Sequence, residues 1–356
     1  MVRSEPPTRP RVRTALQINM HPLDVRHVTL TLDHQLRVWA RQVERISITL
    51  DSQRSRSGRY RGVDYEGSRA KLVAYLAARQ AEHPHLEIVE VDYSAEARER
   101  VRKAYFKDEA AVPAKAFDGG PFHAYFYGLV AANADYVVHM DSDMLFGGGS
   151  PHWLEEAIGW FRHEPDALFV GPLPGPPRTD GELNDSHRRL PGRSGIPAPE
   201  RLAADYPAWR FHSVSTRIFV LAERRLQARV GSLALVAPSP RRRLRARLYG
   251  ESAATAPAEE VLTEALRRHH LSRIDFLGSG AGLYSLHPLY RSETFYRELP
   301  GIIARIEAGD IPEGQRGDYD LNASMIDWSE ALRQKTPLKR AKRALAHLGD
   351  ALFRSA

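Results

Sequence analysis

The chain has 356 residues, 42% of them hydrophobic and 27% charged, the composition of an ordinary globular protein with a sizeable core. It contains no cysteine, which excludes disulfides, thiolate metal sites and cysteine nucleophiles. Its net charge of +7 is concentrated in the N-terminal tail and in residues 239–248 and 337–348. Such basic clusters favour phosphates, nucleic acid or an anionic membrane surface, or else form a solvated arginine-rich surface.

The first half of the chain alternates strand-length apolar runs with amphipathic helical patterns, which predicts an α/β domain with a mostly parallel sheet flanked by helices. Residues 14–20 are the first predicted strand. Asp24 can cap the next helix, whose apolar residues recur every three or four positions as far as Val43. A second strand, from 45, ends on Asp51. The remaining predicted elements of this half are helices near 67–80 and around 121–133, a strand at 86–93, and the strand 136–140.

The second half continues the alternation but contains two irregular segments. Ser150 and Pro151 suit a helix start. Residues 172–210 are rich in proline, glycine and charge and too long for a plain connection, which indicates a functional loop. Residues 237–257 are rich in proline and arginine. The other predicted elements are strands at 166–173 and 215–222, a helix at 257–270, and two short strands around a glycine turn.

The chain is predicted to have three parts: a disordered basic tail (1–12), one domain (13–335) and a basic amphipathic helix (336–356). That last pattern is typical of a helix in the membrane interface and also of a helix packed on its domain. No apolar run reaches the ~20 residues of a membrane span, and no secretory signal follows the basic N-terminus. We therefore expect a cytoplasmic protein, and peripheral contact with the inner membrane face is a hypothesis.

Two carboxylates, Asp141 and Asp143, end an apolar strand and precede a run of glycines. Ligands of open α/β sheets bind beyond the carboxyl ends of the strands, and residues i and i+2 of a strand face the same way. Two such carboxylates repel each other unless a cation lies between them, and aspartate oxygens select Mg²⁺ or Mn²⁺. The pattern predicts a metal site, with surface turn carboxylates as the alternative. The same spacing at Asp318 and Asp320 lies in a polar loop with no preceding strand, and we interpret that copy as chance.

With these features in this order, the sequence resembles the GT-A nucleotide-sugar glycosyltransferases, especially the broad family 2. ISITLDS looks like the family's second strand, which ends in an aspartate that reads the nucleotide base. GLVAANADYVVHMDSDMLF is similar to its helix, strand and metal-binding Asp-x-Asp, and AEEVLTEALRRHHLSRIDFL to its acidic pair at a helix start. The matches span roughly residues 14–290. The resemblance implies one GT-A, Rossmann-like domain with a nucleotide-sugar half at about 13–150 and an acceptor half at about 151–335.

The resemblance implies transfer of a sugar from a nucleoside diphosphate sugar, of UDP or GDP type, to a hydroxyl of a glycan or lipid-linked acceptor. It places base recognition at Asp51, nucleotide and Mn²⁺ or Mg²⁺ binding at Asp141, further metal binding at Asp143, and the general base at Glu259 or its neighbour Glu260. A carboxylate base would make inversion the expected stereochemistry. Both glutamates also suit a purely structural role, because the dipole of a helix favours acidic residues in its first turn. The two irregular segments would help form the acceptor site, and their positive charge favours an anionic acceptor.

Histidines provide the remaining candidates. His287 follows an apolar strand, where several families of this fold carry a histidine that contacts the metal or the diphosphate, so the resemblance implies a third metal ligand. The alternative is a histidine packed at a strand end. His139 lies within a strand and is interpreted as a core residue or one behind the site. His269 and His270 end a helix, where they favour its dipole.

Other classes of protein fit the sequence less well. DSDMLFGGG lacks the small-residue turn of haloacid-dehalogenase-like phosphatases, and the glycine-rich phosphate loop of sugar-nucleotide pyrophosphorylases is missing after the first strand. The main alternatives are a non-catalytic relative of these enzymes and a protein that binds nucleic acid or another polyanion through its basic segments. Because we find no nucleic-acid motif and no interleaved basic and aromatic platform, we expect no nucleic-acid partner.

Overall fold

The computed structural model describes residues 12–53, 64–184, 196–248 and 252–334. The predicted C-terminal helix at 336–356 and all but the last residue of the predicted tail lie outside these residues, and both stay predictions. In the part of the chain that is described, no helix is long and apolar enough to cross a membrane.

The described elements follow the predicted alternation of strands and helices. In chain order the strands are β1 (Thr14–Met20), β2 (Arg45–Leu50), β3 (Leu86–Glu90), β4 (Tyr136–Asp141), β5 (Leu145–Gly147), β6 (Ala167–Pro174), β7 (Glu200–Arg201), β8 (Ala208–Phe211), β9 (Ile218–Ala222), β10 (Ser272–Phe276) and β11 (Tyr284–Leu286). The α-helices are α1 (Val25–Trp39), α2 (Tyr65–Glu82), α3 (Ala95–Tyr105), α4 (His123–Ala132), α5 (Trp153–His163), α6 (Glu223–Arg229), α7 (Pro240–Leu248), α8 (Ala258–His269), α9 (Glu293–Glu307) and α10 (Ser329–Arg333).

The central sheet has the order β3-β2-β1-β4-β9-β6-β10-β8-β7. Its first four strands are parallel, β9 runs antiparallel to both of its neighbours, and β6 and β10 are again parallel. Asn19 of β1 is in register with Thr49 of β2 and with Asp141 of β4, so these three strands end at one edge of the sheet. The predicted α/β class, with a mostly parallel central sheet flanked by helices, is confirmed.

Alternation along the strands divides the core between the two faces of the sheet. Leu16 and Ile18 of β1 pack on the face covered by α1, α2 and α5, whereas Ala15 faces α3, α4, α6 and α8. A third buried cluster joins β5, β8 and β11 to α9 and the segment that follows it. Helices therefore cover both faces, and the carboxyl edge of the parallel strands is left to loops.

Several predicted boundaries differ from the structure. Helix α1 ends at Trp39, so Val43 lies in the connection to β2. Asp24 is the N-cap residue of α1 but makes no side-chain cap bond to that helix; its carboxylate accepts from the His21 amide and so caps the 3-10 turn Pro22–Asp24 before it. Helix α5 begins at Trp153, after His152. The arginine-rich segment forms the regular helix α7 over part of its length, and α3 and α9 were not predicted.

The close approach of α4 to the sheet gives a stability prediction. A Cβ on Gly128 would lie 2.4 Å from Gln17 Nε2 and 2.7 Å from Thr49 Oγ1, and Gln17 is fully buried. We expect Gly128→Ala to destabilise the protein by roughly 1–3 kcal/mol through overpacking. The matched control is Gly159→Ala in α5, where a Cβ meets nothing within 4 Å and stability should hold or rise slightly. Urea unfolding measures both, and equal effects would contradict the packing argument.

Candidate active site

Helix α1 fixes the turn that follows β4, between the carboxylates of Asp141 and Asp143. His27 Nε2 lies 2.9 Å from Ser142 Oγ, and Thr31 Oγ1 donates to the Ser142 carbonyl at 2.7 Å. Gln35 Nε2 also donates to that carbonyl, at 3.2 Å. Helix α1 thus holds the chain where it leaves the sheet, which determines where Asp141 and Asp143 project.

The pKa values of Asp141 and Asp143 are shifted in opposite directions from that of an ordinary aspartate. Burial, together with the negative charge of Asp143, raises the pKa of Asp141. Burial would also raise the pKa of Asp143, but the Arg291 guanidinium, followed by His287 and His27, outweighs it and lowers that pKa. Asp143 is only 1% exposed, so it is a buried anion that the Arg291 guanidinium stabilises.

Arg291 pairs directly with the carboxylate of Asp143. Its Nε and Nη2 atoms lie 2.8 and 2.7 Å from Asp143 Oδ2, and its Nη1 lies 3.1 Å from Asp24 Oδ1. Arg291 stands in the loop between β11 and α9, directly before the N-cap residue Ser292. Helix α9 therefore positions the arginine that pairs with the second carboxylate.

His287 lies beside Asp143 and also contacts a third carboxylate, that of Asp320. Its Nε2 is 3.7 Å from Asp143 Oδ2, and its Nδ1 is 3.0 Å from Asp320 Oδ1. Tyr319 stacks on the His287 ring, and Arg217 pairs with Asp320 at 3.2 Å. Our interpretation of the second Asp-x-Asp as chance missed this, because Asp320 reaches the site through the bridge that His287 makes to the 319–321 segment. Asp318 bonds instead to Asn184 and Asn322.

The carboxylate pair suits a hard divalent cation in part. Asp143 Oδ1 is buried and has no hydrogen-bond partner among the described residues. The atoms nearby that could bind a metal are carboxylate oxygens and an imidazole nitrogen. Arg291, however, occupies Asp143 Oδ2. Within the described ranges, no three acidic or histidine side chains are arranged so that they could hold a metal ion together. The two aspartates fit the chemistry of a metal, while a complete set of ligands with His287 stays a prediction.

Glu259 and Glu260 face different surroundings. Glu259, in the first turn of α8, lines a cavity of about 440 Å³ together with Arg217 and Asp320. Glu260 Oε1 instead accepts a hydrogen bond from Arg242 Nη1 of α7, at 2.9 Å. The cavity thus connects the surroundings of the carboxylate pair with Glu259.

A buried ion pair lies in the wall of the same cavity. Arg273 Nη2 is 2.9 Å from Asp275 Oδ2, and both side chains are 8% exposed. A Cβ at Gly171, the partner of Asp275 in register, would lie 2.6 Å from Asp275 Oδ1, so glycine is required there to admit the carboxylate. Despite Arg273, burial raises the pKa of Asp275 to about 6.

The raised pKa of Asp275 predicts a pH-dependent stability. The folded state holds this proton more tightly than an ordinary aspartate with a pKa of 3.8, so the contribution to stability is lost as the pH rises from about 4 through 6. At ~1.4 kcal/mol per pKa unit, the loss is about 3 kcal/mol. Asp275→Asn lacks this proton, so its stability relative to wild type should rise between pH 4.5 and pH 7, measured by urea unfolding. A wild-type-to-variant difference that is the same at both pH values would contradict the assignment.

Asp51 lies at the same edge of the sheet, one residue beyond β2, and is 7% exposed. Lys115 Nζ donates to its Oδ2 at 2.8 Å, and the Tyr93 hydroxyl donates to its Oδ1 at 2.9 Å. Tyr93 packs against the His123 ring at the start of α4. Asp51 is therefore where the sequence placed it, with both oxygens engaged.

The other histidines named in the sequence analysis lie in the core or at the end of a helix. His139 is fully buried between Tyr125 and Phe219, and burial lowers its pKa to about 3, as expected for a core residue. His269 ends α8, and His270 follows as its left-handed cap. The site residues that the sequence analysis missed are Arg217, Arg291 and Asp320. Each lies in a loop distant in sequence from β4. Arg217 and Arg291 carry no local signal, and the one signal of Asp320, its Asp-x-Asp spacing, was interpreted as chance.

No protein-family model matches the chain, and no curated protein matches it significantly. Among solved structures, it is similar to GalNAc-T7 with UDP, GalNAc and Mn²⁺, at 10% identity and a TM-score of 0.41, over 79% of this chain and 44% of that one. It is similar to the mannosyltransferase PcManGT from Pyrobaculum calidifontis in complex with GDP-Man and Mn²⁺, at 13% identity and a TM-score of 0.34, over 97% and 75%. It is also similar to S. aureus TarS 1-349 in complex with UDP-GlcNAc, at 10% identity and a TM-score of 0.39, over 95% and 80%. These are glycosyltransferases, the class of enzyme that the sequence resembles, but with every TM-score below 0.5 we rest no conclusion about this chain on them.

Proposed function

We propose that this chain is a metal-dependent glycosyltransferase that moves a sugar from a nucleoside diphosphate sugar, of UDP or GDP type, to a hydroxyl of a glycan or lipid-linked acceptor. The observation that carries the proposal is the pair Asp141 and Asp143 at the carboxyl end of β4, which His287 connects to Asp320 in the wall of the cavity that Glu259 lines. A diphosphate site next to an acid that faces a cavity is what sugar transfer requires.

The donor would bind at the carboxyl edge of the parallel strands. Asp141 and Asp143, with His287, would hold Mn²⁺ or Mg²⁺, which when bound supplies positive charge to the diphosphate. Arg291 is a nearby cation that can donate hydrogen bonds to the same phosphates. Asp51 would accept a hydrogen bond from the imino N–H of a uracil or guanine base, and its Oδ2, which accepts from Lys115 Nζ, has a second lone pair for it.

The acceptor would enter the cavity of about 440 Å³. Glu259 would take the proton of the acceptor hydroxyl as its oxygen bonds to the anomeric carbon and the bond from that carbon to the diphosphate breaks. Because the attack comes from the face opposite the leaving nucleoside diphosphate, the configuration would invert. We assign the base to Glu259 rather than Glu260 because Glu259 lines the cavity, whereas Glu260 faces Arg242 of α7. Both arginines in the cavity wall, Arg217 and Arg273, are paired with carboxylates, so the wall offers an anionic acceptor little net positive charge.

Thermal stabilisation by nucleotides tests the proposal. UDP, GDP, CDP, ADP and dTDP are each added with Mn²⁺, Mg²⁺ or EDTA, and the melting temperature of the full chain is measured. A ligand at ~100 times its dissociation constant adds about 2.7 kcal/mol. We expect one nucleotide to stabilise the protein only when the metal is present. Stabilisation by none of them, or equally in EDTA, would contradict a metal-dependent donor site.

The alternative function, polyanion or nucleic-acid binding, draws on the exposed arginines of α7. Such binding would weaken steeply with salt and would not need a divalent metal. Fluorescence anisotropy with labelled DNA at 50 and 200 mM salt separates the two functions.

Membrane contact through residues 336–356 is a separate proposal. It is tested by liposome sedimentation of the full chain and of a chain that ends at 335, and equal binding of the two would reject it.

A further inference from the structure

Arg291 occupies the oxygen of Asp143 that a second metal contact would need. The forked contact of Nε and Nη2 with Oδ2, at 2.8 and 2.7 Å, is among the stronger kinds of polar contact in proteins. Asp24 Oδ1 holds the far side of the guanidinium at 3.1 Å. Because Asp143 is 1% exposed, water cannot easily replace the arginine there.

A cation that approached Asp143 would meet two obstacles. It would find Oδ2 already bonded to Arg291, and the guanidinium charge would repel it. These contacts also agree with the finding that no three-ligand metal cluster is formed among the described residues. The arginine must move before the carboxylate can hold a metal with both oxygens.

We propose that Arg291 and a divalent cation exclude each other from Asp143, so that the metal alone binds weakly and a metal carried by a diphosphate binds well. A diphosphate offers oxygens to which the displaced guanidinium can donate in the same forked manner. The metal and the nucleotide then bind as one unit. This inference rests on the proposed function, since it requires Asp143 to be a metal ligand.

Electron paramagnetic resonance of Mn²⁺ tests the exclusion without measuring activity. Mn²⁺ alone and Mn²⁺ with UDP or GDP are titrated into the full-length wild type, Arg291→Gln and Arg291→Lys. Removing a charged hydrogen-bond partner is worth roughly a 10- to 100-fold change, so Arg291→Gln should bind Mn²⁺ alone more tightly than wild type by about that factor. Arg291→Lys keeps the charge but loses the fork, and it should bind Mn²⁺ several-fold more tightly. If Arg291→Gln does not fold, the lysine variant decides.

Arg217→Gln is the matched control, because Arg217 acts on both aspartates through its charge while its ion pair is with Asp320. An equal gain in Mn²⁺ affinity in Arg217→Gln would show that charge alone is responsible and would overturn the exclusion. If wild type and both Arg291 variants bind Mn²⁺ alone equally, and all bind it with a nucleotide, the exclusion fails while the proposed function stands. If Mn²⁺ binds to no variant under any condition, both fail.

Discussion

Asp143→Asn is expected to abolish metal-dependent nucleotide binding and to lower sugar transfer by at least about a hundredfold, the size of effect seen when one charge-stabilising group is removed. The asparagine keeps the shape of the side chain but not the negative charge that a cation needs. Arg291 also loses one of its two ionic partners and keeps Asp24. The measurement pairs the thermal shift with nucleotide and Mn²⁺ with the rate of donor turnover.

The second Asp-x-Asp provides the control for this substitution. Asp318 has the same spacing to its partner as Asp141 has to Asp143, but it bonds to Asn184 and Asn322, away from His287. Asp318→Asn should therefore keep nucleotide binding and most of the transfer rate. If Asp143→Asn retains metal-dependent nucleotide binding, Asp143 is not a metal ligand and the proposed donor site is wrong.

Glu259→Gln is expected to lower kcat by roughly 10²–10⁴, the range that a positioned general base contributes, while nucleotide binding stays at its wild-type strength. The amide fills the same space in the cavity but cannot take a proton from the acceptor hydroxyl. A loss confined to kcat would distinguish this role from donor binding, which would appear in the thermal shift as well.

The neighbouring glutamate is the matched comparison. Glu260→Gln changes the same chemical group one residue along α8, where the side chain pairs with Arg242. Its kcat should remain within about threefold of wild type, since surface ion pairs contribute little. The opposite result, with Glu260→Gln inactive and Glu259→Gln active, would transfer the role of base to Glu260.

Local sequence patterns predicted the sheet well and placed three of the candidate site residues at the ends of strands. Apolar strands that end in polar residues placed Asp51, Asp141 and Asp143 at strand ends, because the period of a strand and the position of its end are local properties. The two long-range partners of Asp143 and Asp320, Arg291 and Arg217, could not be found in this way. They enter the site from the loop before α9 and from the start of β9.

Two features show where local reasoning had too little information. Helix α9 contains Pro300, and an internal proline argues against a helix in sequence, although α9 continues through it in the structure. Asp24 and Glu260 suit helix starts by position, but their carboxylates accept from His21, Arg291 and Arg242. The choice between Glu259 and Glu260 depends on which neighbour faces α7, and that is set by packing.

The most direct test of the account is donor turnover by wild type. The full chain is incubated with UDP and GDP sugars, in Mn²⁺ or EDTA, with and without a panel of neutral and acidic glycosides, and release of nucleoside diphosphate is measured. We expect one donor to release its nucleoside diphosphate faster than in buffer, only with the metal, and faster still with an acceptor. Release from no donor, or at the same rate in EDTA, would contradict the proposed function.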